Sequence, residues 1–155
     1  MGYLGGVDAR KGYQDVLELQ SDPELHLLFA GPKSERVLIR GRPGIGFVEV
    51  GVFLSACDVL AAPTHFDPAP VAVLEGLARG VPIVTTSASG WAGAIERHGC
   101  GVVWQGGDGS LADACRQAAS ASREACCSLL DEVAPTRLRR DLIAAYEHIL
   151  GARAA

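Results

Sequence analysis

The chain has 155 residues, of which 48% are apolar and 21% charged, and its formal net charge is −4 at pH 7. This composition is typical of one globular domain over residues 1–155, and the scattered Lys and Arg residues argue against general nucleic-acid binding, which requires clustered cations. The apolar stretches fall well short of the roughly 20 residues that span a bilayer, and the N-terminus lacks the basic and apolar segments of a secretory signal. We therefore expect no transmembrane segment and a cytoplasmic location.

Apolar runs of strand length alternate with longer segments of helical period, in the order typical of parallel βαβ units. The predicted strands are residues 3–7, 25–30, 45–48, 59–62, 83–86 and 101–104. The predicted helices are residues 12–20, 34–40, 50–57, 70–79, 91–98, 111–121, 122–132 and 137–150. Because the strand runs are nearly all apolar, both faces of the sheet must be covered. We predict a Rossmann-like three-layer α/β/α domain with a parallel sheet of about six strands.

Ligands of such folds bind outside the carboxyl ends of the strands, so the following loops are candidate sites. These loops are residues 5–12, 31–44, 63–70 and 86–91. The first contains Gly5-Gly6 and Arg10-Lys11 but no GxGxxG pattern, which excludes a dinucleotide fingerprint. A guanidinium and an ammonium at a helix start would complement a phosphate or a diphosphate. A solvated basic pair is the alternative interpretation.

The segment 63–82 is the most informative part of the chain. Pro70 suits the first turn of a helix, Asp67 precedes that turn, and Glu75 lies five residues further on, a rise of about 7.5 Å. Between the two carboxylates, the free N–H groups of Val71 and Ala72 could hold an anion. This layout matches a molecule with hydroxyls on both sides of its phosphates, as in a nucleotide sugar. A cap at Asp67 and a surface charge at Glu75 remain alternatives.

The spacing of Asp67 and Glu75, within Pro-Thr-x-x-Asp and Leu-Glu-Gly-Leu-Ala-Arg-Gly-Val-Pro-Ile-Val, resembles a known motif. It is similar to the Glu-x7-Glu region of group 1 (family 4) retaining glycosyltransferases, which have the GT-B fold. The opening Gly5-Gly6 with Arg10-Lys11-Gly12 resembles the first donor-domain loop of that family. Ser89-Gly90-Trp91-Ala92 resembles a loop of lipopolysaccharide-core glucosyltransferases. The resemblance covers residues 3–104 in family order.

The resemblance implies that this chain is the C-terminal, donor-binding half of such an enzyme. In that case Arg10 and Lys11 contact the donor diphosphate, and Asp67 takes the catalytic position that touches the transferred sugar. Glu75 binds the ribose hydroxyls, for which a carboxylate is well suited. The full set of donor-binding residues that the resemblance implies is Gly5, Gly6, Arg10, Lys11, Val71, Ala72 and Glu75.

This chain departs from the family pattern at three of these positions. Asp67 replaces a Glu, which shortens the reach of the carboxylate by about 1.5 Å. Pro70 stands where the family usually has Gly, so one N–H group is absent. Gly6 stands where many members have Arg, although Arg10 and Lys11 can supply the same charge. The sugar contact is therefore less closely matched than the ribose contact.

The resemblance also implies features of the complete enzyme. It implies transfer with retention, no cofactor and no metal, and the sequence contains no Asp-x-Asp. An acceptor-binding N-terminal domain would precede Met1 and could carry peripheral membrane association. The alternatives are a non-catalytic α/β interaction or regulatory module and a GT-B nucleotide-sugar epimerase.

Several residues outside this motif carry weaker expectations. His65 is interpreted as a loop histidine without catalytic duty, and Trp91 either walls the donor cleft or packs under the following helix. The apolar stripe of the last helix, 137–150, packs on this domain or, as in the family, crosses toward the other one. The cysteines have no metal-binding spacing and are expected to be buried or half-buried thiols at Cys57, Cys100, Cys115, Cys126 and Cys127.

Overall fold

A computed structural model describes residues 1–46, 48–107 and 109–153. Its strands are β1 (Gly2–Leu4), β2 (Leu28–Ala30), β3 (Leu38–Ile39), β4 (Arg42–Pro43), β5 (Leu60–Ala62), β6 (Ile83–Thr86) and β7 (Gly101–Trp104). Its α-helices are α1 (Tyr13–Glu18), α2 (Val50–Ser55), α3 (Val71–Ala78), α4 (Ala92–His98), α5 (Leu111–Ala118), α6 (Arg123–Glu132) and α7 (Pro135–Arg153). Short 3-10 turns occur at Ala9–Lys11, Leu19–Ser21 and Ser34–Arg36.

The strands form a five-stranded parallel sheet in the order β2-β1-β5-β6-β7. Neighbouring residues of a strand alternate between two apolar clusters, because successive side chains point to opposite faces of a sheet. Leu60 and Ile83 join the cluster that contains the buried residues of α2, α3, α4 and α6, whereas Ala61 and Val84 join the cluster of α1 and α5. This arrangement confirms the predicted three-layer α/β/α fold.

The third predicted strand, 45–48, is wrong. Ile45 makes only an isolated parallel bridge to Ala30, and Phe47 lies outside the described residues. The preceding helix at 34–40 is also wrong beyond its first turn, since β3 and β4 form an antiparallel hairpin there. Arg40 (φ 47°) and Gly41 (φ 77°) both have positive φ, as two-residue hairpin turns require. Turn geometry therefore overrides the helical pattern at this point.

The last helix does not pack on this domain, which corrects one of the two expectations for it. Every residue from 135 to 151 is exposed. The large apolar side chains keep between 47% and 67% of their surface accessible at Leu138, Leu142, Ile143, Tyr146, Ile149 and Leu150. The helical period was correctly predicted from the sequence, but the partner of the apolar face was not.

The cysteines follow the expectation except at one position. Cys57, Cys100, Cys115 and Cys126 are buried, and Cys127 is exposed. Burial raises the pKa of the Cys100 thiol to about 11 and that of Cys115 to about 12, so these thiols stay protonated and weakly reactive at neutral pH. Among the described helices, none is long and apolar enough to cross a membrane.

Candidate functional site

The loops after β1 and β5 are joined by hydrogen bonds to a single carbonyl group. The Arg10 carbonyl accepts from the Thr64 hydroxyl at 2.7 Å and from the His65 N–H group at 2.8 Å. Gly12 has a φ of 68°, and a Cβ atom there would lie 1.9 Å from the Pro63 carbonyl oxygen. Only glycine fits this contact, which holds the Arg10-Lys11 segment against the loop that carries Asp67.

The loop after β6 joins the same surface through Asp67. The Gly90 N–H group donates to the Asp67 carbonyl at 3.1 Å, and the Asp67 N–H group donates to the Ala88 carbonyl at 3.4 Å. A Cβ atom on Gly90 would lie 1.8 Å from the Pro68 carbonyl oxygen. The loop 86–91 therefore fixes the backbone that positions the Asp67 carboxylate.

The glycines of the first loop meet the loop after β2. A Cβ atom on Gly31 would lie 2.2 Å from the Gly5 carbonyl oxygen, and one on Gly6 would lie 3.6 Å from the Pro32 carbonyl oxygen. The Val7 N–H group donates to the same Pro32 carbonyl at 3.3 Å. All four candidate loops thus meet at the carboxyl edge of the sheet, as the fold predicts.

The structure brings Lys11 and Asp67 into direct contact. The Lys11 Nζ atom lies 2.5 Å from Asp67 Oδ2, and the Ala69 N–H group donates to Asp67 Oδ1 at 3.2 Å. The Asp67 side chain is only 14% exposed, whereas that of Lys11 is 44% exposed. Asp67 is therefore a well-desolvated carboxylate with both oxygens engaged, and Lys11 remains accessible to a ligand.

Arg10 is held by a carboxylate of its own loop. Its Nη2 atom lies 2.7 Å from Asp8 Oδ2, and its N–H group donates to Asp8 Oδ1 at 2.9 Å. These hydrogen bonds from Arg10 lower the pKa of the Asp8 carboxyl to about 2. Sequence reasoning missed Asp8, although an Asp just before a short turn is a common cap. The Arg10 side chain is 72% exposed, so it faces solvent beside the candidate site.

Helix α3, like α1 and α4, begins without a side-chain cap. Glu49, Ser110 and Ser122 accept hydrogen bonds from the first turns of α2, α5 and α6, whereas the N-cap residue of α3 is Pro70, which makes no side-chain cap bond. Val71 begins α3 and is 65% exposed. The first turn of α3, with Val71 and Ala72, can therefore donate N–H groups to an anion.

Glu75 is positioned by α3. Val73, Gly76 and Leu77 form the buried face of this helix, and Glu75 between them is half-buried. The structure thus places Glu75 in the same helix as the uncapped first turn, as the sequence predicts. Lys11 and Asp67 come from two different loops and are in direct contact. Glu75, Val71 and Ala72 are related only by their positions along the same helix.

His65 has a partner that the sequence did not reveal. Its Nε2 atom lies 2.9 Å from Asp15 Oδ2 on α1. Both residues line a cavity of about 340 Å³ at the carboxyl edge, which Thr86 and Trp104 also line. The pair ties α1 to the loop of Asp67. Trp91 is half-buried and packs against the core cluster of α3 and α4, in agreement with the packing interpretation.

Within residues 1–46, 48–107 and 109–153, no group of three or more His, Cys, Asp or Glu side chains is placed to share a metal ion. The expectation that the reaction needs no metal stays a prediction, because this observation concerns only resident protein ligands.

Comparison with known proteins agrees with the motif. Residues 2–121 match the family model described as "Glycosyl transferases group 1". The chain belongs to this family. The matched range contains every candidate site residue from Gly5 to Glu75.

Individual relatives of this group 1 chain are distant in sequence. It is 27% identical over 103 residues to TuaC of Bacillus subtilis (strain 168), assigned as a teichuronic acid biosynthesis glycosyltransferase; the match covers 62% of this chain and 26% of TuaC. Among solved structures, it is similar to AviGT4, a glycosyltransferase involved in avilamycin A biosynthesis (TM-score 0.73, 20% identity, 97% of this chain and 51% of AviGT4). It is also similar to Anabaena Alr3699/HepE in complex with UDP (TM-score 0.76, 16% identity, 95% of this chain and 48% of HepE). The chain spans about half the length of these structures.

Proposed function

We propose that this chain is the nucleotide-sugar-binding half of a glycosyltransferase that transfers a sugar from a nucleoside-diphosphate sugar with retention and without a metal ion. The observation that carries the proposal is the contact of Lys11 with Asp67, 2.5 Å apart, in the loops that precede α1 and α3. The family motif assigns the first residue to the diphosphate and the second to the sugar. Their contact indicates that the two parts of one ligand would meet here.

The chemistry available at this edge suits a diphosphate leaving group. The Lys11 ammonium and the Arg10 guanidinium are both accessible, and the uncapped first turn of α3 adds N–H groups and the positive end of the helix dipole. Such fixed donors stabilise the negative charge that develops on a departing nucleoside diphosphate. In this proposal, Glu75 accepts hydrogen bonds from the ribose hydroxyls.

The structural relatives support the ligand class and the need for a second half. HepE was solved with UDP and with UDP-glucose, and the half of HepE that this chain matches has the fold seen here. Because the chain covers 51% of AviGT4 and 48% of HepE, we include an N-terminal acceptor domain in the proposal. The exposed apolar face of α7 is consistent with such a partner, since a large apolar patch in water is unfavourable. A cytoplasmic location also belongs to this proposal.

Isothermal titration calorimetry tests the proposal directly. We expect a nucleoside diphosphate, with UDP, GDP and ADP tried in turn, to bind more tightly than its mononucleotide. Glu75→Ala should weaken this binding by about ten- to a hundredfold, since one charge-assisted hydrogen-bond partner contributes about 1.5–3 kcal/mol. The addition of EDTA should leave the affinity unchanged.

Glu96→Ala provides the matched control for this titration. Glu96 is an exposed carboxylate on α4, so its removal makes the same change in net charge outside the candidate loops. Equal and negligible binding of diphosphates and mononucleotides to protein that is folded by circular dichroism would contradict the proposal. An equal loss of affinity in both variants would contradict the role of Glu75.

A further inference from the structure

We propose that the ion pair between Lys11 and Asp67 makes this site discriminate between a sugar-bearing nucleotide and the nucleoside diphosphate that remains after transfer. This inference rests on the proposed function and assigns a specificity role to a contact that the sequence did not predict. The pair would oppose binding of the product more strongly than binding of the donor.

The first step of the argument is the charge balance of the free site. Arg10 is paired with Asp8 at 2.7 Å, and Lys11 is paired with Asp67 at 2.5 Å. These four side chains together carry no net charge when all are ionised. A diphosphate that enters the site therefore meets two cations that are already neutralised, in addition to the N–H groups of α3. To form a full ion pair with Lys11, the diphosphate must draw the ammonium away from Asp67.

The second step is the unequal exposure of the two partners. The Lys11 side chain is 44% exposed, and its ammonium is carried on a flexible four-carbon stem, so this group can turn toward a ligand. The Asp67 side chain is 14% exposed, and the N–H group of Ala69 holds its other oxygen in place at 3.2 Å. If Lys11 leaves, Asp67 stays behind as a poorly solvated anion. A charge in that position is costly unless another donor replaces its partner.

The third step is the difference between the two ligands. A nucleoside diphosphate offers Lys11 a new partner but brings only negative charge toward Asp67. A nucleotide sugar offers the same phosphates and also hydroxyl groups, which can donate to Asp67 in place of the ammonium. The nucleotide sugar thus gives both Lys11 and Asp67 a new partner when their ion pair breaks, whereas the nucleoside diphosphate gives a new partner only to Lys11. Release of the nucleoside diphosphate after transfer is favoured for the same reason.

Asp67→Asn separates these effects, because it removes the negative charge and keeps an oxygen acceptor for the Ala69 N–H group. With UDP and UDP-glucose as probes, or GDP and GDP-mannose if guanine nucleotides bind more tightly, calorimetry should show the diphosphate binding about three- to tenfold more tightly to this variant, as expected for removal of one nearby like charge. The nucleotide sugar should gain less or lose affinity, because its hydroxyls lose a charged acceptor. The ratio of the two dissociation constants is the decisive readout.

Asp8→Asn is the matched control. It makes the same change in charge beside Arg10, and Asn is as good a cap as Asp. A general electrostatic effect would strengthen binding of both ligands equally in this variant and leave their ratio unchanged. Thermal melting of each variant confirms that it is folded. In the double variant Lys11→Gln/Asp67→Asn, the gain in diphosphate affinity seen with Asp67→Asn alone should disappear, because the gain requires the released ammonium.

The outcomes distinguish this inference from the proposed function. If the wild type binds the diphosphate more tightly than the mononucleotide but Asp67→Asn leaves the ratio of dissociation constants unchanged, the discrimination by the ion pair is overturned and the donor-binding function stands. Weaker binding of the diphosphate to folded Asp67→Asn would also overturn it. If the folded wild type binds no nucleotide from the panel, the proposed function fails and this inference fails with it.

Discussion

Helices α3 and α7 show how differently two helices of one chain can be stabilised. α3 has 8 residues, and its inner face is fully enclosed, with Val73 and Leu77 each at 0% exposure. α7 has 19 residues, yet its residues from 135 to 151 are all exposed. The shorter helix carries the candidate site, and the longer one carries an apolar face without cover from the described part of this chain.

The difference indicates that burial, and not length, holds the helix of the candidate site in place. Tertiary packing of an apolar face supplies most of the stability of a helix in a protein. α3 gains it from β5 and β6, whose Leu60 and Ile83 lie in the same cluster. This packing fixes the position of α3, whose first turn follows Asp67 closely in the chain.

Of the substitutions that test this difference between α3 and α7, Leu77→Ala on α3 is expected to change the free energy of unfolding most. Removal of a fully buried leucine leaves a cavity and should lower the free energy of unfolding by about 2–5 kcal/mol. Chemical denaturation followed by circular dichroism measures this change. A loss below about 1 kcal/mol would mean that the core closes around the site, and that α3 is less firmly held than its burial indicates.

A smaller effect is expected from Gly76→Ala on the same helix. A Cβ atom there would lie 2.9 Å from Ile83 Cδ1 and 3.0 Å from Leu60 Cδ2, and both side chains are buried. Overpacking typically costs about 1–3 kcal/mol and the better helix propensity of alanine returns up to about 1 kcal/mol, so we expect a net loss of about 1 kcal/mol. The same denaturation experiment applies. A gain in stability would show that the interface between α3 and the sheet can accommodate an additional methyl group without strain.

The smallest effect is expected from Leu142→Ala on α7. Leu142 is 53% exposed, and alanine is an equally good helix former, so the free energy of unfolding should change by less than about 0.5 kcal/mol. This variant is the surface counterpart of Leu77→Ala. A loss above about 1 kcal/mol would show that the face of α7 is covered in solution, and the contrast with α3 would then no longer hold.

Much of the fold could be predicted because it depends on local patterns. The strand Ile83–Thr86 and the helix Val71–Ala78 match the predictions closely, since a short apolar run and a helical stretch bounded by Pro70 and Gly80 have few alternatives. The segment 34–48 was not predictable in the same way. The turn at Arg40 and Gly41 folds this part of the chain into the hairpin β3-β4, which replaces the end of the predicted helix.

In the candidate site, too, some features follow from local sequence and others do not. The motif of Asp67 and Glu75 and the positions of the loops follow from local sequence, and so does the proximity of Val71 and Ala72 to the start of a helix. The partner of Lys11 does not follow from local sequence. Lys11 and Asp67 are 56 residues apart in the chain, and their contact depends on Gly12 fitting against Pro63, which no local pattern encodes.

The sequence of this group 1 glycosyltransferase chain thus contains the order of the elements, the apolar faces of the sheet and the candidate site residues. Periodicity and turn residues act over a few positions, so one chain is enough to recognise them. The pairing of Lys11 with Asp67 and the exposure of α7 are properties of the folded molecule. They depend on which surfaces meet after the sheet has assembled, because long-range packing decides which groups lie close enough to contact a given charge or apolar face.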